Sequence, residues 1–156
     1  MKRFFFDCGT RDPLASIGLL VLRAGFGLMM LIGHGLPKLL NYSTYVEKWS
    51  VAPAIWPLSK MSMPMSLMAT IGAEFFASAL LVLGIMTRPA AFVLGFAMCV
   101  AAFQVHGAHP VVSSDGGPSK EMALLYLLSA FILIITGAGQ FSLDAAIATD
   151  RRKRRR

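Results

Sequence analysis

The 156-residue sequence predicts an all-α integral membrane protein, a four-helix bundle. Two observations predict it. Apolar residues make up 56% of the chain and charged residues 15%, against about 45–50% and about 25% in soluble domains. The charges crowd at the chain ends and leave long apolar runs that do not alternate, which excludes a β-barrel.

A helix that crosses a bilayer needs about 20 mostly apolar residues. Four segments qualify, at 14–36, 65–86, 89–106 and 121–139. They form one domain over 1–150, followed by the basic tail 151–156. Only "TRP" (87–89) separates the second segment from the third, so these two form a tight hairpin, with Pro89 suited to a first helical turn. The opening "MKRFFFDCGTRD" is interrupted by Asp7, Arg11 and Asp12, so the first helix is expected to serve as an uncleaved signal anchor.

Orientation follows from the basic residues. With both termini cytoplasmic, the inner side gathers Lys2, Arg3, Arg11, Arg88 and "RRKRRR", against Lys38, Lys48, Lys60 and Lys120 outside. The expected location is the bacterial cytoplasmic membrane, crossed several times. Cys8 near the inner end and Cys99 within the third segment are not expected to pair, on geometry and on redox compartment.

Ionisable groups inside a span are costly and usually have partners. Arg23 and Glu74 each fall about 13 Å into their segments at 1.5 Å per residue, which places both near the midplane and predicts that they pair. Such a pair either pins the first helix to the second or forms the charged wall of a ligand or proton site. Arg23, Gly27, Met30, His34 and Lys38 recur at helical spacing and form one stripe, with Gly27 permitting a close neighbour. Pro37 then weakens the helix near its outer end, where Lys38 can reach headgroups or water.

The third segment ends in "FQVHGAHP" and the fourth opens on "KEMALLYL". His34, Lys38, His106 and Glu121 thus converge at one outer mouth, as separate interfacial groups or as a shared ligand site whose histidines titrate near neutral pH. Glu121 also suits the dipole at a helix start. On the inner side, Arg88 could pair with Asp144, or serve only as an interfacial cation. Ser142 could cap a short helix there.

Three features carry less. "MSMPMSLM" (61–68) either offers thioethers to Cu(I) or re-enters the membrane as adaptable apolar chain. Tyr42, Tyr45, Trp49 and Trp56 in the long loop 39–64 read as an interfacial aromatic belt on a short flat helix. "RRKRRR" is assigned to anionic lipid headgroups and topology rather than to nucleic acid. No metal-ligand spacing, phosphate-cradling loop or Ser-His-Asp set is present, so no catalytic or metal residue is assigned.

The successive stretches "RAGFGLMMLIGHGLPKL", "GAEFFASALLVLGIMTRPAAFVLGFAMCVA", the histidine that follows, "KEMALLYLL" and "GAGQFSLD" resemble the motifs of the DoxX family of small four-helix membrane proteins. The resemblance covers roughly residues 17–146. Gln140 and Phe141 stand where the family more often has a basic residue and tyrosine, and the arginine-rich tail is unlike a typical member. The resemblance implies a four-helix bundle and marks Arg23, Glu74, Arg88, His106 and Glu121 as recurrent polar positions. It also implies a membrane subunit of a redox system, since the family is named after a membrane subunit of a thiosulfate:quinone oxidoreductase.

The favoured expectation is therefore a membrane subunit that meets quinone or a redox partner protein and has no intrinsic cofactor. Two alternatives stand beside it. One is a small-solute or proton-coupled transporter, for which four helices would require a homodimer. The other is a membrane binding or chaperone protein without chemistry of its own.

Overall fold

The computed structural model describes residues 9–10, 12–56, 58–114 and 116–153, with side chains described up to residue 148. Lys2, Arg3, Cys8, Arg11 and the side chains of the basic tail lie outside the described residues. Among the described residues there are helices and no strand.

Helix α1 (Pro13–Leu40) opens on a complete cap. The Asp12 carboxylate accepts the Ala15 N–H at 2.7 Å, and Pro13 takes the first helical position, where a missing N–H costs nothing. The helix runs further than expected, through Pro37 to Leu40. A π-helical turn at Leu31–Gly35 lies just before the proline, and its widened backbone relieves the clash that Pro37 would make with the preceding turn.

The loop beyond carries the short helix α2 (Tyr42–Lys48) and a single tight turn at Leu58–Lys60. Helix α3 (Met63–Leu83) starts with the Ser62 hydroxyl accepting the Met65 N–H at 3.5 Å and ends at Gly84, whose φ of 68° is left-handed. Helix α4 (Thr87–Val105) follows at once, so 84–86 is the hairpin link and "TRP" is already its first turn. Helix α5 (Glu121–Thr136) ends at Gly137 (φ 80°), and α6 (Leu143–Lys153) is capped by Ser142, which accepts the Ala145 N–H at 3.2 Å.

Helices α1, α3 and α4 are long and apolar enough to cross a membrane. The 16-residue α5 spans about 24 Å, short of a hydrocarbon core of about 30 Å, because Gly137 stops it before the expected boundary. Small residues let the helices approach closely. A Cβ on Gly95 of α4 would meet the Ala130 side chain of α5 at 3.2 Å, and Ala90, Ala91 and Ala130 are all buried. Outward positions such as Val21, Ile32, Phe92, Phe131 and Ile135 stay exposed and apolar. That surface is wrong for water and right for lipid tails, so the chain is a multi-pass helical membrane protein. Cys99 is a free thiol in α4.

Candidate functional site

The bundle has two polar ends. The α3–α4 link, the start of α1 and the end of α5 meet at the base. The second half of α1, the first half of α3, the end of α4 and the start of α5 meet at the mouth.

Arg23 does not pair with Glu74. Side chains in a helix lean toward its N-terminus, so Arg23 of α1 leans to the base while Glu74 of α3 leans to the mouth. The Arg23 guanidinium donates instead to the carbonyls of Leu81 (2.9 Å), Val82 (2.7 Å) and Phe141. Two of these are carbonyls of the last turn of α3, where the helix dipole is negative, and the Leu81 carbonyl also accepts the Gly84 N–H at 3.1 Å. A Cβ on Gly84 would meet Arg23 Nη1 at 2.7 Å, so the glycine serves both the left-handed turn and the guanidinium.

Asp144 completes the base. Its carboxylate accepts the N–H groups of Met86 (2.9 Å) and Thr87 (3.0 Å), and its own N–H donates to the Gly84 carbonyl at 2.8 Å. Its negative charge also acts on Arg23. The partner expected for Asp144 was Arg88, but both carboxylate oxygens serve the start of α4, while Arg88 Nη2 donates to the Ile135 carbonyl at 3.3 Å. The stretch "GAGQFSLD" belongs to the same knot, where the Gln140 N–H donates to Ser16 Oγ at 3.2 Å.

Glu74 finds Lys38. The lysine leans back into the bundle from the last turns of α1 and pairs with the glutamate, rather than reaching outward to headgroups. The side chains are only 15% and 8% exposed, so the pair is largely withdrawn from solvent. Gly35 allows it, since a Cβ there would meet the Glu74 carbonyl oxygen at 2.5 Å and hold the helices apart.

A cavity of about 350 Å³ opens beside this pair. Met30, Ala73, Phe96 and Met98 supply apolar wall, and His34, Lys38, Glu74, His106 and Tyr126 bring polar groups to it. Three of the four residues expected at the mouth thus share one space. Glu121 is exposed in the first turn of α5 and does not line it. His106 faces His109, Nδ1 to Nδ1 at 3.2 Å. Tyr126, absent from the sequence expectations, is 7% exposed and is gripped by Phe26 (ring centroids 5.3 Å) and edge-on by His34 (6.1 Å). Its signal was its place one turn and one residue after Glu121, on the opposite side of α5.

Three helices carry π-helical turns at this level: Leu31–Gly35 in α1, Gly72–Ala77 in α3 and Ala101–Val105 in α4. Each extra backbone residue rotates the rest of its helix, and such turns concentrate at functional sites. Glu74 lies within one of these turns, His106 directly follows another, and His34 lies within the third; all three line the cavity, and His34 is exposed. The methionines of 61–68 divide, Met61 lining the cavity while Met63, Met65 and Met68 are exposed.

Comparison with known proteins places the chain. Two proteins of Haemophilus influenzae, both described only as uncharacterized, are similar to it. One is 28% identical over 141 residues, covering 90% of each chain. The other is 35% identical over 121 residues, covering 74% of this chain and 80% of its own. No solved structure matches. The sequence model of the DoxX family matches residues 18–107, which include α3, α4, most of α1 and the cavity residues His34, Lys38, Glu74 and His106, and the chain belongs to the DoxX family.

Proposed function

We propose that the chain is a membrane subunit of a redox system and that its mouth cavity receives a quinone ring. One observation carries this reading: an apolar cavity of about 350 Å³ into which a few proton-bearing side chains converge. Ligand sites are typically apolar clefts of about 300–1,000 Å³ with a small number of placed polar groups. A quinone is an apolar ring with two carbonyl oxygens and carries electrons and protons together.

Met30, Phe96 and Met98 would pack against the ring. Lys38, His34, His106 and Tyr126 are the donors at hand for its oxygens, and Glu74 is the carboxylate at hand for a proton. The sequence has no flavin, haem or iron–sulfur motif, so a partner protein would exchange the electrons. The distribution of Lys and Arg supports a bacterial cytoplasmic membrane with both termini inside, and the tail would then meet anionic lipid.

Mass spectrometry of organic extracts tests the reading. Protein purified in mild detergent is expected to retain quinone, and the His34→Ala/His106→Ala double variant to lose it. Quinone missing from both removes the reading. A proton-coupled transporter is the second reading, and the Lys38–Glu74 pair inside the cavity is what favours it. Solute flux in proteoliposomes that disappears in Glu74→Gln would select it.

A further inference from the structure

Part of the cavity wall is not helix. Residues 49–54, between α2 and the turn at Leu58–Lys60, contribute Trp49, Val51 and Pro53 to its lining. Pro53 lacks an N–H and interrupts any strand ladder here. The strap is fastened by side chains instead. The Gln104 carboxamide accepts the Ala54 N–H at 2.9 Å and donates to the Ala52 carbonyl, so it brackets Pro53 as a partner strand would. The Ser66 hydroxyl donates to the Val51 carbonyl, which also accepts the Trp49 indole N–H at 2.9 Å.

The fasteners come from the two helices that flank the strap. Ser66 stands in the first turn of α3 and lines the cavity. Gln104 stands in the π-helical turn of α4, between the lining residues Ala101 and Val105. The helical walls are held by their own backbone ladders and by one another. The strap is held by a few side-chain bonds, so it is the part of the wall that opens at least cost.

We propose that residues 49–54 are the door of the cavity, and that Gln104 is the latch that sets how often it opens. Molecules then reach the withdrawn Lys38 and Tyr126 by release of the strap rather than by separation of the membrane helices. The door is the same whatever the cavity holds, so it stands or falls apart from the quinone reading.

Thiol labelling tests it without any ligand. In a Cys8→Ser/Cys99→Ala background, Ala97→Cys puts one thiol on the cavity wall, and a charged, membrane-impermeant methanethiosulfonate reports access to it. Adding Gln104→Ala is expected to raise the labelling rate about tenfold, the loss of one to two hydrogen bonds' worth of latch. Ser66→Ala removes the other fastener and is expected to raise it as well, which keeps the test decisive if the first variant does not accumulate. Leu81→Cys, fully buried toward the base, is expected to stay slow in both. An unchanged rate at Ala97→Cys in either variant overturns the door. An equal rise at Leu81→Cys overturns it too, because the whole bundle would then have loosened.

Discussion

The base and the mouth of this bundle are built from similar residues and put to opposite uses. At the base, Arg23 and Asp144 spend their hydrogen bonds on backbone groups at the ends of α3 and α4. At the mouth, Lys38 and Glu74 bond to each other, and the His34 and Tyr126 rings meet in a T-shaped pair beside the cavity. A charge tied to backbone cannot move without breaking a helix end. A charge tied to another side chain can exchange its partner for a ligand. The difference separates an intramembrane charge tied to helix ends from one tied to another side chain, although hydropathy makes them look alike.

The largest expected effect is at the base. Asp144→Ala leaves the N–H groups of Met86 and Thr87 without an acceptor and Arg23 without its nearby negative charge, and should destabilise the protein by about 3–5 kcal/mol. Thermal unfolding in detergent reads this as a large fall in Tm or a failure to accumulate. Arg23→Lys should also be less stable than wild type, because an ammonium lacks the planar fork that reaches several carbonyls at once. Wild-type stability in Arg23→Lys would dissolve the contrast between the two ends.

Gly35→Ala comes next. The added methyl meets the Glu74 backbone, so α1 and α3 must part, at about 1–3 kcal/mol. The same separation pulls Lys38 from Glu74, and quinone retention should fall with Tm. Glu74→Gln should cost less, about 1–2 kcal/mol, because Lys38 is close enough to the mouth to find water, whereas Arg23 keeps all its partners. A loss as large as that of Asp144→Ala would show that Glu74 supports the base after all. Tyr126→Phe is the smallest, within about 0.5 kcal/mol in stability. Its effect should appear only as weaker quinone retention, and unchanged retention would remove Tyr126 from the site.

Much of the fold was legible because lipid imposes a simple rule on composition. Apolar runs marked all four helices, Gly27 marked the α1–α3 seam, where a Cβ would meet Val82 Cγ2 at 2.9 Å, and Ser142 marked the cap of α6. The mouth was legible in part. His34, Lys38 and His106 were expected together because each stands near the same end of its helix, and all three line the cavity.

What spacing could not supply was pitch and direction. The stripe from Arg23 to Lys38 assumes an unbroken α-helix, but the π-helical turn at Leu31–Gly35 rotates the residues after it by about 100°. Equal depth suggested that Arg23 and Glu74 meet, yet side chains on antiparallel helices lean to opposite ends. Membrane entry, the placing of the helices and the grouping of polar residues at one end follow from composition, because burial in lipid depends on composition over long windows. Which charge meets which, the facing of Tyr126 to the cavity and the fastening of the strap by Gln104 emerge only from the folded arrangement. Those depend on helix rotation and loop path, which are set by contacts between residues distant in the chain.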